Sequence, residues 1–449
     1  MSAQPRLAQG MRIFTTIWFG QLISTLGSGL SGFALGVWLY EETGSTTLFA
    51  LSMFVWFLPT IFFAPIAGVL ADRYDRRVIM ILADSMACIA TIFIGVMVFT
   101  DNLVFWQIYL ADIFFSIANT LQWPAYAAAT SLMVPKKHLG RAGGMTQIGD
   151  AISSLAAPAV AGAMYVSVGL KPILLIDIFT FMFALGTLIA VRFPQPEKTK
   201  EGQTGEGPFW REALFGWHYI RQRPGLFHLL LVFAALNFCI SITFPLFTPM
   251  ILEMASANIL GLISSIISAG MLVGTLIMSI WGGFKRRIYG SYLGESLIGI
   301  SAVLVGLSPS ILLITAAQFL GALALPITNG SAQAIWQSKV AQDVQGRVFS
   351  VRRMIAFSII PLAYLVTGPL SEKVFMPLLQ ENGLAVDTFG QIFGTGPGRG
   401  IGLMFSTLGL VYFIIAQLIF LDKRIRNVEL DLPDAVPSED IPIEDENEG

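Results

Sequence analysis

The chain predicts an all-α integral membrane protein with twelve transmembrane helices in two six-helix halves, and three observations carry that expectation. Of 449 residues, 55% are hydrophobic and 12% charged, against about 25% charged in a soluble domain. Mean hydropathy is +0.70. Twelve runs each supply the roughly 20 mainly apolar residues that a helix needs to cross the hydrocarbon core. All but Lys171, Lys373 and Arg399 of the 27 basic residues fall in connections that an even-numbered topology places on one side. Lys and Arg are retained in the cytoplasm during insertion, so both termini are expected there, with the protein in the plasma membrane.

The runs lie at 13–40, 47–70, 78–100, 104–133, 142–168, 172–191, 226–252, 258–284, 288–307, 310–335, 348–368 and 401–421. Residues 1–12 form the expected cytoplasmic N-terminus, with Arg6 and Arg12 holding the first span inside. That first run exceeds a signal-peptide core and is expected to stay as a helix. Residues 13–191 make the first half. The longest connection, 192–225, divides the spans evenly. Its Gln195–Gly207 stretch is rich in Pro, Gly, Glu and Lys and reads as a flexible linker. Phe209–Arg221 then puts Trp210, Ala213, Leu214 and Trp217 on one face, as an interfacial helix would. Residues 226–421 make the second half. The tail 422–449 has nine acidic and no basic residues after Arg426, the composition of a solvated, disordered end.

Several classes are excluded. With 27 basic and 29 acidic residues spread in small groups, no concentrated basic face is available for nucleic acid. Cys88 and Cys239 lie inside apolar runs and read as packing residues. His138, His218 and His228 lack metal-ligand spacing. No nucleophile with a His partner appears within the spans. The run Gly394–Gly400 follows no strand and lacks a Gly-Lys-Ser/Thr ending, so it reads as a loop before the last span. No cofactor is expected, and the bilayer is the first partner.

The densest charge in the first half is Gly68-Val69-Leu70-Ala71-Asp72-Arg73-Tyr74-Asp75-Arg76-Arg77, between spans two and three. Six spans later Gly282-Gly283-Phe284-Lys285-Arg286-Arg287 closes span eight, and after each basic cluster an acid enters the next helix, Asp84 or Glu295. The first stretch resembles the signature hairpin of the major facilitator superfamily, Gly-x-Leu-Ala-Asp-Arg-x-x-Arg-Arg, matching at Gly68, Leu70, Ala71, Asp72, Arg73, Arg76 and Arg77. The eighth place, often Gly in that family, is Asp75 here. Span count, half-repeats and linker extend the resemblance over 13–421. Other stretches resemble the bacterial drug, macrolide and siderophore exporters: Pro124-Ala125-Tyr126, Leu139-Gly140-Arg141-Ala142, Leu175-Ile176-Asp177 with Thr180-Phe181, and Gln345-Gly346-Arg347-Val348-Phe349. Ser153, Ala157-Pro158-Ala159 and Gly162 are similar to an antiporter pattern of span five, with ordinary helix packing as the other reading. Span four has no arginine, so coupling through an arginine there is not carried over.

The resemblance implies a major facilitator fold with substrate between the halves near the midplane. It implies a conformational gate in which Gly68 lets span two approach span eleven and Asp72 faces that helix's positive end near Gly346 and Arg347. Arg73, Arg76 and Arg77 would anchor the hairpin to acidic groups and lipid headgroups.

Ionisable groups inside spans cost about 2.5–3.5 kcal/mol at the centre and mark pathways or partnered sites. Asp150, on a helix that the resemblance places at the cavity, is the first candidate for cation or proton coupling. Asp84 and Glu295 follow, with pairing to arginines or helix N-termini as their other reading. Asp112, Asp177 and Glu253 are expected near the outer surface, within reach of water. Candidate cavity residues are Trp18, Gln21, Asn119, Gln122, Gln147, Asn237, Asn329 and Gln333. Aromatic faces with sparse polar groups suit an amphipathic ligand. No ATPase motif is present, so a gradient must drive transport. The expectation is a secondary transporter, not an enzyme, working as a monomer and exporting amphipathic drug, macrolide or siderophore-like molecules with proton antiport. Uptake of a small polar nutrient is the alternative, ahead of an intramembrane enzyme or a non-transporting receptor.

Overall fold

Inside hydrocarbon a backbone must satisfy its own N–H and C=O groups, which long apolar runs do as helices. The computed structural model describes residues 4–134, 139–191, 216–307, 309–340, 344–380 and 383–434, leaving out the side chains at 4–9, 65, 68, 69, 71–73, 128, 131, 132, 139–141, 345–347, 350 and 397. α1 is Gln4–Thr43, α2 Thr46–Arg73, α3 Arg76–Phe99, α4 Phe105–Met133, α5 Leu139–Val168 and α6 Leu170–Ala190. α7 runs Pro224–Thr243, tightens through the 3-10 turn Phe244–Leu246, and continues as Phe247–Leu252. α8 is Ala257–Trp281, α9 Arg287–Leu307 and α10 Ile311–Lys339. α11 runs Gln345–Ser358 and Ile360–Leu370, interrupted just before Pro361, and α12 is Pro397–Leu421.

Among the described residues, 11 helices are long and apolar enough to cross a membrane. The remaining long helix is α4, 29 residues, whose apolar run is diluted by Gln107, Asp112, Asn119 and Gln122. The chain is an all-helical membrane protein. Helices α1–α6 pack on one another, chiefly as α1 on α5 and α6 and α4 on α2 and α3, and α9 packs on α10 and α12 in the second group. Both described ends of the chain lie on one face, called terminal here; the opposite face is distal.

The cores show how the two groups meet. Toward the terminal face each has its own cluster, Phe14, Ile17, Met80 and Leu188 in the first group and Leu226, Leu229, Trp336 and Ile419 in the second. Toward the distal face one cluster spans both, with Val37 of α1 against Leu246, Leu260 and Ile263. Close approach there depends on small residues, as in membrane helix pairs generally. A Cβ on Gly162 would collide with the Ala257 carbonyl, and one on Gly261 with the Pro158 carbonyl. The small residues and proline of span five therefore pack α5 against α8.

The segment after α12 departs from expectation. Through residue 434 it is folded, with short helices Lys423–Arg426 and Val428–Asp431. Glu429 accepts from the N–H groups of Arg287 at 3.0 Å and Ile288 at 2.9 Å, capping α9. Lys339 donates to the carbonyls of Glu429 and Leu432 at 2.7 and 2.6 Å, and pairs with Asp434 at 2.8 Å. Asp422 faces His228 at 2.6 Å. Burial pushes the Asp422 carboxyl up, but bonds from His228 and the Arg424 N–H outweigh that and hold it below the usual range. Acidic composition alone hid these contacts, because helix caps and carbonyl locks use the same residue types as a solvated tail. Residues 435–449 lie outside the described residues, as do 192–215 of the linker; from residue 216 the expected interfacial segment is helical, with Trp217 edge-on to Phe227 at 5.8 Å.

Replacing Glu429 with Ala should cost about 1 kcal/mol, the usual worth of a helix cap. The thermal midpoint of the detergent-purified protein should fall accordingly; an unchanged midpoint would show that the cap carries no stability.

Candidate functional site

A cavity of about 800 Å³ lies between the two groups and is lined almost wholly by the first. α1 contributes Trp18, Gln21, Ser28 and Ser31, α2 Ser52, Trp56 and Phe57, α3 Asp84, α4 Asp112, Asn119, Gln122, Trp123 and Tyr126, and α5 Asp150 and Ser153. The second group supplies Phe244, Thr248, Leu260 and Tyr364, toward the distal end. Among the described residues, none on this wall is basic.

Its polar side chains are largely committed to one another. Asp84 accepts from Gln21 Nε2 at 2.8 Å and Gln122 Nε2 at 3.1 Å, while Gln122 Nε2 also reaches Gln21 Oε1 at 2.9 Å. Asp112 accepts from Ser52 at 2.6 Å. Trp18 donates to the Met145 carbonyl at 2.9 Å, fixing α1 against α5. Asp150 is a carboxylate exposed on the cavity wall, and Asn119 is exposed there too.

Arginine or helix-terminus partners for Asp84 and Glu295 are not what the structure shows. Glu295 lies buried outside the cavity, between α9, α10 and α12, accepting from Thr328 at 2.9 Å and from the Tyr412 hydroxyl. Basic side chains stay at helix ends: the ion pairs among the described residues are Lys171–Asp101, His228–Asp422 and Lys339–Asp434. Amides and hydroxyls therefore supply the donors that a buried carboxylate requires. Asp177, expected within reach of water, is fully buried. It accepts from Ser31 at 2.6 Å, Thr91 at 3.3 Å and Ser28 at 3.4 Å.

Of the candidate cavity residues, Trp18, Gln21, Asn119 and Gln122 come together on this wall. Gln147 and Asn329 are exposed away from it. Asn237 donates to the Ala356 carbonyl at 3.4 Å. Gln333 accepts from Arg352 at 2.8 Å, whose guanidinium lies over Trp336 at 5.0 Å.

For the gate, the side chains of Gly68, Asp72, Arg73, Gly346 and Arg347 lie outside the described residues. Asp75 caps α3 by accepting from the Arg77 N–H at 2.9 Å, an ordinary use of Asp at an N-cap. Arg77 donates to the carbonyls of Leu188 and Ile189 at 2.8 and 2.6 Å, at the end of α6, and pairs with no acidic group among the described residues. Arg76 is half-buried. Six helices on, Arg286 donates to the Arg426 carbonyl just past α12 at 2.9 Å. In both groups, then, an arginine of the basic cluster donates to a backbone carbonyl near the terminal end of the group's last helix or just beyond it.

The distal seam holds residues that sequence reasoning missed. Glu372, in the π-helical turn after α11, crosses to the start of α2 and accepts from Ser45 Oγ at 2.7 Å, Thr47 N–H at 2.8 Å and Thr47 Oγ1 at 2.7 Å. A carboxylate there meets the positive end of α2's dipole. Gly368, one turn earlier, has the Thr47 backbone where a Cβ would go. Tyr40 of α1 donates to Glu253 at the end of α7 at 2.8 Å. Glu372 lay beyond the expected end of its span, where an acid draws no notice; the Gly368-Pro369 pair before it was the available signal.

Two six-helix groups, joined at the distal face and holding a cavity between them, have the architecture of a membrane carrier of the alternating-access class. The sequence profile of the Major Facilitator Superfamily matches residues 17–364. The chain belongs to that superfamily and is a secondary transporter, not an enzyme. It is 30% identical over 367 residues to macrolide efflux protein A of Streptococcus pyogenes, covering 80% of this chain and 90% of the relative. It is 28% identical over 189 residues to the enterobactin exporter EntS of Salmonella typhimurium, covering 42% and 46%. Among solved structures it superposes on a bacterial homolog of the human lysosomal transporter Spinster, inward-facing and unoccupied, with TM-score 0.68, 18% identity and coverage of 97% and 100%. A bacterial homologue of the iron transporter ferroportin, also inward-facing, gives TM-score 0.66 at 14% identity, covering 90% and 98%.

Glu372→Gln should loosen the distal seam. With Ser52→Cys as a reporter on the cavity wall, a membrane-impermeant maleimide applied from the distal side should react several-fold faster in the Gln variant. Equal rates in the two backgrounds would show that Glu372 does not hold this face shut.

Proposed function

We propose that this transporter exports amphipathic, cationic small molecules of the macrolide type across the bacterial plasma membrane, in exchange for protons. The observation that carries the reading is the cavity wall: aromatic faces from Trp18, Trp56, Phe57 and Trp123, the carboxylates Asp84, Asp112 and Asp150, and no basic residue among those described. Such a wall binds an apolar body by area and a cationic amine by charge, with aromatic faces adding cation–π attraction. The similarity to macrolide efflux proteins agrees with it. Gln21, Gln122 and Ser52 are already bonded to the wall's own carboxylates, which leaves little to bind a polyhydroxylated nutrient and disfavours the uptake alternative.

The distribution of Lys and Arg supports a cytoplasmic terminal face, so the cavity takes its load from the cytoplasm. The remaining step is closure there. The α2–α3 hairpin, with Gly68, Asp72 and Arg73, meets the start of α11 at Gly346 and Arg347 when the terminal face shuts, and Arg76 and Arg77 brace the hairpin. One chain encloses the cavity, so a single copy is the working unit.

In inverted vesicles, an acid-inside pH gradient should drive accumulation of radiolabelled erythromycin. Uptake that ignores the gradient would remove proton antiport, and absence of uptake across macrolides would remove the exporter reading. Asp150→Asn should weaken erythromycin binding about tenfold, the worth of one exposed charge-assisted contact. Equal affinity in equilibrium binding would show that Asp150 does not hold the amine.

A further inference from the structure

Asp177 has no part in the cavity contacts above, yet no carboxylate of the chain is more completely buried among the described residues. It sits on α6 where α1 and α3 converge. Gly27 permits this, because a Cβ there would press on Thr180 Oγ1 and stand 2.9 Å from Asp177 Oδ1. Three hydroxyls close around the carboxylate: Ser31 at 2.6 Å and Thr91 at 3.3 Å on Oδ2, and Ser28 at 3.4 Å on Oδ1. The titratable groups of the packed helices are few. α3 brings Cys88 and Asp84 on the same side as Thr91; α1 carries Tyr40, Glu41 and Glu42 at its distal end; α5 carries Asp150 on the cavity wall and Tyr165 bonded to Glu41. Arg12, Arg76, Arg77 and Lys171 lie at helix ends, and no salt bridge reaches Asp177 among the described residues. A charge buried without a cation is costly, and neutralisation is the ordinary escape.

Ser28 and Ser31 are themselves on the cavity wall. A single layer of hydroxyls therefore separates Asp177 from the transported molecule. We infer that Asp177 is the coupling-proton site, and that its protonation reverses the hydrogen-bonding character that Ser28 and Ser31 present to the cavity. This rests on the reading of the chain as a proton-coupled exporter.

When Asp177 is ionised, the Ser31 and Ser28 hydrogens point at it and their lone pairs face the cavity. That wall accepts hydrogen bonds and favours an ammonium group. A proton arriving from hydronium in cavity water adds to a carboxylate oxygen and leaves water behind, and the carboxyl becomes a donor. A serine oxygen now accepts from it and turns its own hydrogen toward the cavity, so the wall donates and the local negative charge is gone. An ammonium group at Ser28 and Ser31 then loses its acceptors and the nearest counter-charge. Proton and substrate cation exclude one another, and that exclusion is antiport.

The test uses purified full-length transporter in weakly buffered detergent with a pH-indicator dye. Erythromycin binding should release about one proton per site, as linkage requires of mutually exclusive ligands. Asp177→Asn should bind erythromycin with little proton release and with affinity that varies less with pH than in wild type, and Ser31→Ala should reduce the release. Proton release by Asp177→Asn equal to wild type would overturn the inference. The infrared carbonyl stretch of protonated carboxyls reads the site without a ligand: over the background from Asp84, Asp112 and Glu295, one titrating component should be present in wild type, absent in Asp177→Asn and shifted in Ser31→Ala. A titrating carbonyl profile identical in wild type and Asp177→Asn would overturn the proton site whatever the macrolide result, whereas failure of wild type to bind any macrolide counts against the exporter reading alone.

Discussion

The structure depends on the two helix groups being fastened, among the described residues, at the distal face. Lipid gives helices no hydrophobic reason to associate, so a seam inside a membrane is built from backbone proximity and hydrogen bonds. Both are concentrated at the distal face, where Gly162, Gly261 and Gly368 bring backbones together and Glu372 crosses to cap α2. The terminal face has separate cores instead. Each in-membrane hydrogen bond of this kind contributes only about 0.6–2 kcal/mol. A seam of a few such bonds is strong enough to bias one state and weak enough to be released in a cycle.

The second constraint is the placement of charge. Carboxylates occur along the first group while basic side chains are held at helix ends, so each buried acid is satisfied by amides or hydroxyls. This divides them by surroundings. Asp84 and Asp112 are bonded into the wall, Asp150 is open to the cavity, and Asp177 stands behind it. Glu295 resembles Asp84 in its place after a basic cluster, yet it is sealed between α9, α10 and α12. The two groups share a plan without sharing a role.

The fold was legible in the sequence because hydropathy and Lys/Arg asymmetry are properties of the chain itself. Apolar length gave the helices, with α4 the instructive case: of the polar residues that weaken it as a span, Asp112, Asn119 and Gln122 line the cavity. Trp18, Gln21, Asn119 and Gln122 could be picked out as polar or aromatic residues in apolar runs. Asn329 and Gln333 share that signature but turn elsewhere, because helix rotation is set by neighbours and not by the residue. Asp177 was misplaced because distance from a helix end does not measure distance from water when α1 and α3 cover it. Glu372 escaped notice because its partners, Ser45 and Thr47, are more than 300 positions away. The folded strap at 422–434 was hidden for the same reason, since Glu429 caps a helix that begins at Arg287.

Reciprocal motion of the two faces is the most direct test of this account. Spin labels on Tyr74 and Leu421, exposed at the terminal ends of α2 and α12, and on Val104 and Leu312, exposed at the distal ends of α4 and α10, give one distance for each face. Without substrate the terminal pair should be long and the distal pair short. Erythromycin with an imposed pH gradient should shorten the first while lengthening the second. Distances that stay fixed, or that lengthen and shorten together, would contradict a carrier hinged between two alternately closed faces.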